Sequence, residues 1–126
     1  MKQRFIRVGD EITDDTTLVI RGGLLDAMLL RADALRNHEI YGTYGISVLA
    51  LRDVSFDELA SGPPLVRFAS LTLVTAGELR LRGLRLEPTG RNTYHFDVGF
   101  DDLEAGVEAL LLCERSVVEN PYHEGE

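Results

Sequence analysis

The sequence predicts one domain of the α+β (or α/β) class, with one mixed β-sheet of about five strands packed against two main helices and several short ones. Two observations predict it. Apolar runs of strand length are β-branched or alternate with polar residues, and a longer run has apolar residues three or four positions apart. The 126 residues suit a single domain over 1–126. We expect residues 1–15 and 117–126 to be flexible or edge segments.

The first half of the chain predicts a strand, a helix and a second strand. Thr16 to Arg21 is β-branched and apolar, and Gly22-Gly23 ends it. An amphipathic helix of about four turns should follow, buried along one apolar stripe. The stripe consists of Leu25, Met28, Leu29, Ala32 and Leu35. Asn37 to Gly45 is predicted to be a loop, and Ile46 to Leu51 a strand covered on both faces.

Short helices and a third strand are predicted next. Ser55-Phe56-Asp57-Glu58 has the spacing of a capping box, and Gly62-Pro63-Pro64 ends the helix that begins there. Arg67 to Thr75 predicts a strand. A second capping-box spacing begins at Thr75 and predicts another short helix, which ends near Gly83.

The last part of the chain predicts a hairpin and a helix. Leu84 to Glu87 and Tyr94 to Phe100 form the two arms, and Asp101 or Asp102 caps the helix. The tail from Ser116 is predicted to begin as an edge strand. Because most of the strands are joined through helices, we expect parallel neighbours in the sheet, with the hairpin as its antiparallel part.

Charge and composition exclude several classes of protein. The formal net charge of −8 opposes phosphate backbones, so general nucleic-acid binding is not expected. A single cysteine cannot form an internal disulfide, and the three histidines share no metal-ligand spacing, so we expect no metal and no cofactor. No apolar run approaches the ~20 residues of a membrane span. These observations predict a cytoplasmic protein without a membrane contact.

Three groups of residues are candidates for chemistry. Arg21 ends a strand and precedes Gly22, so it could hold a phosphate or carboxylate in a turn that a ligand can approach closely. In the segment 38–47, His38 could exchange protons, Tyr44 could stack on a base, and Ser47 lies on the strand that follows.

A histidine and a carboxylate form the third group. His95 and Asp97 are two positions apart on one face of a strand, where a carboxylate beside imidazole makes a usable acid or base. The plainer interpretation for all three groups is structural, with exposed polar residues and core tyrosines.

Twelve arginines and one lysine supply the positive charge. Four of these arginines fall within a dozen residues and predict an anion-binding or partner-binding patch, or else a solvated surface paired with carboxylates elsewhere. They are Arg80, Arg82, Arg85 and Arg91.

Several short motifs resemble those of a group of small actinobacterial proteins. They are Val19 to Gly23, Gly45 to Val48, Leu79 to Gly83, Leu86 to Thr89, His95-Phe96 and Asn120 to Tyr122. The resemblance spans most of the chain and implies a bacterial cytosolic setting. It implies no mechanism, because no activity is assigned to that group.

A second resemblance is to ADP-ribosyltransferases of the arginine–serine–glutamate type. In that family the first strand ends in an Arg-Gly pair and a later strand carries a serine. Arg21-Gly22 and Ser47 stand in this order. The resemblance implies a nucleotide-related enzyme in which these residues share a site. The family's catalytic glutamate is not assigned to a residue of this sequence.

Two functional hypotheses follow, together with a third possibility. The first is a small bacterial accessory or interaction protein, of the kind found in toxin–antitoxin or phage-defence loci, which binds a protein partner. The alternative is a small nucleotide- or RNA-acting enzyme, ADP-ribosyltransferase-like or ribonuclease-like, that uses Arg21, Ser47 and His95. The third is a structural subunit that associates with itself as a homo-oligomer. The enzyme hypothesis requires its residues to meet in one pocket.

Overall fold

A computed structural model of the chain describes residues 2–124. Met1 and residues 125–126, which belong to the predicted flexible or edge segments, lie outside this range. The described residues form six strands and four α-helices. The strands are β1 Thr17–Gly22, β2 Tyr44–Ala50, β3 Ser70–Thr75, β4 Arg85–Pro88, β5 His95–Phe100 and β6 Ser116–Glu119. The helices are α1 Ala27–Tyr41, α2 Phe56–Ser61, α3 Ala76–Leu81 and α4 Leu103–Leu112, with a 3-10 turn at Leu65–Arg67 after α2.

Local capping signals position the helices as the sequence predicts. The Ser55 side chain accepts a hydrogen bond from the Glu58 amide while the Glu58 carboxylate accepts one from the Ser55 amide, which completes the capping box of α2. Thr75 caps α3 and Asp102 caps α4 through the same kind of side-chain acceptor. Two predicted segments have wrong boundaries. The predicted loop from Asn37 to Gly45 contains the end of α1 at Tyr41 and the start of β2 at Tyr44, and the strand predicted from Arg67 begins at Ser70.

The strand order is β4-β5-β2-β1-β3-β6, and every neighbouring pair within residues 2–124 is antiparallel. The predicted parallel neighbours, and with them the mixed sheet, are therefore wrong. The helical connections from β2 to β3, β3 to β4 and β5 to β6 do return the chain in the same direction. In each case, however, at least one strand of opposite direction lies between the two connected strands. The sixth strand is β6, which extends the predicted five.

The sheet has a different cover on each face. The long-helix face is covered by α1, α3 and α4, where Leu30, Leu79 and Leu110 pack against side chains such as Leu18 and Val98. The other face, which we call the short-helix face, is covered by α2 and the 3-10 turn. There Leu59, Ala60 and Leu65 pack against Val19 and Leu71. Alternate residues of a strand therefore enter separate cores.

Helix α1 buries a different side from the one that the sequence predicts. Its buried residues are Leu30 and Ala34, whereas Met28, Ala32 and Leu35 of the predicted stripe are exposed. Positions 30 and 34 are separated from 28, 32 and 35 by about half a turn at 3.6 residues per turn. The helix carries apolar residues on two opposite sides. The side that packs against β2 and α4 is the narrower of the two, with Leu30 and Ala34.

Strands β1 and β2 separate after a short paired stretch. They pair at Leu18–Ala50 and Val19–Leu49. Beyond these positions β1 continues along β3 with a bulge between Val19 and Arg21, while β2 continues along β5 as far as Tyr44. A bulge bends its strand and raises the local twist. The two central strands of the sheet therefore diverge in its middle.

The N-terminal segment is tied to the β4–β5 hairpin. Ile6 forms an isolated bridge with Thr89, and the Arg7 amide donates to the Pro88 carbonyl.

No helix within residues 2–124 is long and apolar enough to cross a lipid bilayer.

Candidate functional site

A cleft of about 390 Å³ opens on the short-helix face where β1 and β2 diverge. It is lined by Val19, Ile20, Arg21, Gly22, Ser47, Val48, Leu49, Pro64, Leu65, Phe68 and His95. The three residues that the enzyme hypothesis requires to meet come from three different strands, and all of them line this cleft. They are Arg21 of β1, Ser47 of β2 and His95 of β5.

The apolar part of the cleft includes an aromatic ring. Phe68 packs directly on Gly22, so that a Cβ added at Gly22 would lie 2.2 Å from the ring carbon Cδ2. Only glycine leaves room for the ring at this place. Leu65 adjoins Phe68 in the lining, and Val19 and Leu49 belong to the strands below. This part of the cleft offers a flat apolar surface.

Main-chain groups form another part of the wall. The side chains of Ile20 and Val48 lie in the core of the long-helix face, so these residues line the cleft with their backbone. Pairing between β1 and β2 stops at Val19 and Leu49. The backbone of diverging strands can donate hydrogen bonds to a ligand and accept them from it, as the backbone of an exposed sheet edge does.

Arg21 is held by one carboxylate. Its Nη1 donates a 2.6 Å hydrogen bond to Oδ2 of Asp33 on α1, and 49% of the Asp33 side chain is exposed. Such a surface pair contributes about 0–1 kcal/mol to stability. Because α1 covers the long-helix face, this contact turns the guanidinium away from the cleft, and an anion bound in the cleft has to draw it from Asp33 through the gap between β1 and β2.

Ser47 and Asp97 belong to a chain of polar contacts beside the cleft. The Ser47 hydroxyl donates to Oδ1 of Asp97 over 3.3 Å, and Oδ2 of Asp97 accepts a 2.7 Å hydrogen bond from Nη1 of Arg4. The Nη2 atom of Arg4 donates a 2.7 Å hydrogen bond to Oε1 of Glu87. Burial lowers the pKa of Arg4, but the hydrogen bonds to Asp97 and Glu87 outweigh it and raise that pKa. The Asp97 carboxylate is thus bound to Arg4, a residue that the sequence did not single out.

His95 is oriented by a threonine and not by Asp97. Its Nδ1 lies 3.0 Å from the Thr89 hydroxyl and 3.2 Å from the Thr89 carbonyl oxygen. Because a carbonyl only accepts, this contact favours the tautomer that carries its proton on Nδ1. The Nε2 atom is then the proton acceptor. The expected hydrogen bond between His95 and Asp97 does not occur among the described residues.

Tyr44 and His38 lie elsewhere. Tyr44 packs towards the long-helix face, with its ring 4.5 Å from the His38 ring and 6.4 Å from the Phe100 ring, both stacked. The two residues line a separate hollow of about 140 Å³ with Arg85 and Phe100. The structure brings Tyr44 to His38, but it does not bring either residue to the cleft.

The four arginines of the predicted patch are spread over α3, β4 and the hairpin loop. Three of them pair with carboxylates: Arg80 with Asp14 at 2.7 Å, Arg82 with Glu78 at 2.9 Å, and Arg85 with Asp101 at 2.9 Å. The fourth lies over an aromatic ring, since the guanidinium carbon of Arg91 is 5.3 Å from the Phe5 centroid. Their role as an anion patch stays a prediction.

Sequence reasoning missed Phe68 and Arg4. Phe68 stands in a segment without a motif, and the only local signal was Gly22, whose small size leaves room for a neighbour. Arg4 lies 93 positions from Asp97.

Residues 2–124 hold no group of three metal-ligating side chains placed to bind a metal ion.

The chain matches no protein-family model, no curated protein and no solved structure. Its two resemblances therefore stay predictions, and its function is argued from the geometry of the molecule.

Proposed function

We propose that the protein binds a small organic anion in the cleft between β1 and β2, and that this anion is a nucleotide. The observation that carries the proposal is the meeting of Arg21, Ser47 and His95 in one cleft with the Phe68 ring. A charged group and a flat apolar group are the two parts of a nucleotide that need recognition.

Each part of the cleft has a role in this proposal. Arg21 binds the phosphate, because its fork of donors fits phosphate oxygens and only Nη1 is engaged by Asp33. Phe68 stacks on the base, a contact of about 1–3 kcal/mol. Ser47 and His95 provide hydrogen-bonding groups for the sugar or the base. A volume of about 390 Å³ lies in the range of small-molecule sites.

Isothermal titration calorimetry with AMP tests the proposal, with adenosine and inorganic phosphate as its two halves. We expect AMP to bind and each half to bind at least tenfold more weakly. In Arg21→Gln the affinity for AMP should fall about 10- to 100-fold, since a charge-assisted hydrogen bond contributes about 1.5–3 kcal/mol.

The matched control is Arg31→Gln. Arg31 also pairs with one exposed carboxylate, that of Glu104, but it lies outside the cleft. This variant should bind AMP like the parent protein. Absence of heat with AMP, GMP, CMP and UMP at millimolar concentration would overturn the assignment of a nucleotide. Equal loss in both variants would show that the effect comes from net charge and not from the cleft.

A second candidate function is catalysis on a nucleotide or RNA in the same cleft. The observation that favours it is the contact between His95 Nδ1 and the Thr89 carbonyl, which favours the tautomer in which Nε2 accepts a proton. His95→Gln should then abolish turnover of a short RNA or dinucleotide, a loss much larger than the loss of AMP affinity that follows from one missing hydrogen bond. Without turnover in the parent protein, binding alone remains.

A further inference from the structure

The exposed side of α1 carries an apolar stripe that no other part of residues 2–124 covers. It consists of Met28, Ala32 and Leu35, at helical spacings of four and three, so that the three side chains lie on one side of the helix. Met28 is 75% exposed and Leu35 is 44% exposed. We call this surface the α1 stripe. Leu29, which is also half exposed, widens it on one side.

The α1 stripe differs from scattered surface leucines. Single exposed apolar residues are ordinary on a protein surface, but a run at helical spacing is the pattern that buries a helix against a partner. Helix α1 already has its core contacts through Leu30 and Ala34 on the opposite side. The stripe is therefore additional to what the fold of this chain needs.

On α1 and α4 together, four carboxylates, those of Asp33, Glu39, Glu104 and Glu108, outnumber two cations, Arg31 and Arg36. Glu39 continues the line of the α1 stripe by one turn, and α4, which packs beside α1 through the Arg31–Glu104 pair, has Glu104 and Glu108 on its exposed side. Arg31 is engaged in that pair, which leaves Arg36 on the flank and Lys2, whose amide donates to the Ile40 carbonyl, at the C-terminal end of α1. The whole protein carries a formal charge of −8. A cationic partner is attracted to such a surface at long range.

We propose that the α1 stripe is the docking surface for an amphipathic helix of a partner protein, with apolar residues facing Met28 and Leu35 and with lysine or arginine on its flanks. This is the helix-against-helix mode of recognition, in which anchors three or four residues apart make the contact. A second copy of this chain fits less well. Two copies of the same acidic surface repel each other, whereas a cationic helix is attracted to it.

The test uses a fluorescein-labelled peptide of 18 residues with leucine on one helical side and lysine on the other. One control peptide has the same composition in scrambled order, and another has glutamate in place of lysine. Anisotropy titrations should show binding of the first peptide and at least tenfold weaker binding of both controls.

The double variant Met28→Gln/Leu35→Gln should weaken binding of the leucine–lysine peptide at least tenfold. The matched control is Leu81→Gln, because Leu81 of α3 is 76% exposed and lies outside the stripe. This control should change the affinity less than twofold. Both variants replace exposed residues and leave the core intact.

Three outcomes would overturn the proposal. The first is equal binding of the scrambled peptide, which would mean general charge attraction. The second is no binding, or no difference between the double variant and the Leu81→Gln control. The third is a dimer in sedimentation equilibrium that the double variant abolishes, because the occupant would then be a second copy of the chain.

Discussion

Arg7 and Arg21 illustrate two uses of arginine in one small protein. The Arg7 guanidinium binds Asp10 at 2.6 Å and donates to main-chain carbonyls of the β4–β5 hairpin and its loop, those of Thr89, Gly90, Asn92, Thr93 and His95. Arg21 has one partner, the half-exposed Asp33. The first arginine has its donors filled by the fold, whereas the second keeps donors that a ligand can use.

The difference also separates two regions of the sheet. At the hairpin, Arg4 and Arg7 bind the N-terminal segment to β4, β5 and their loop. Arg4 pairs with the carboxylates of Glu87 and Asp97, and Arg7 pairs with that of Asp10. At the divergence of β1 and β2, the cleft combines an apolar wall with polar groups that the fold uses only in part. A charged residue with few and exposed partners thus points to function where it also lines a cleft, as Arg21 does and Arg31 does not.

The largest effect on stability is expected for Arg7→Gln. Its loss leaves Asp10 with one cation fewer and five hairpin carbonyls without this donor, and the loss of these partly buried contacts together costs about 3 kcal/mol. The midpoint of thermal unfolding should fall by about 10 °C. Arg21→Gln is the comparison and should cost less than about 1 kcal/mol. Similar losses in the two variants, measured by calorimetry, would contradict the distinction drawn between these arginines.

A smaller loss is expected for Arg4→Gln. The Asp97 side chain is 4% exposed, so removal of Arg4 leaves a buried carboxylate whose remaining partner is Ser47, at a cost of about 2 kcal/mol. The double variant Arg4→Gln/Asp97→Asn should recover part of this loss, because the uncompensated charge is gone. Urea unfolding of the two single variants and the double variant measures the coupling. Additive losses would show that the two residues do not stabilise each other.

The smallest effect concerns pH. The hydrogen bond from Arg7, followed by that from Arg52, holds the pKa of Asp10 below its ordinary 3.8. A carboxyl with a lowered pKa stabilises the fold above its unfolded pKa, and this contribution is lost as the pH falls through the folded pKa. Asp10→Asn should therefore be less stable than the parent protein at pH 7, and the gap should close below about pH 4. A gap that stays constant between pH 7 and pH 2.5 would exclude this source of acid sensitivity.

Local signals in the sequence predicted the elements well. The capping box at Ser55 and the cap at Asp102 involve residues three apart, so the same few residues that carry the signal also make the contact. The alternation in β5 also predicts Phe96 and Val98 in the core, but the expectation of a half-buried strand is wrong, because Asp97 on the other face is buried as well. These features depend on short-range geometry, which a sequence contains in full.

Long-range choices could not be predicted. Helix α1 has apolar residues on two sides, and only the positions of β2 and α4 decide that Leu30 is buried and Met28 is not. The antiparallel order depends on which strand enters between two others. The cleft needs the divergence of β1 from β2, which no local pattern marks. Arg21, Ser47 and His95 were predicted singly from their strands, and the fold brings them together.

The strand order has a consequence for synthesis on the ribosome. Its central strands β2, β1 and β3 all come from the first 75 residues, and β1, the first strand made, lies between the other two. The β4–β5 hairpin then adds beside β2, and β6 adds beside β3 at the opposite edge. The sheet can grow outwards in the order in which the chain is translated, and the cleft between β1 and β2 belongs to its oldest part.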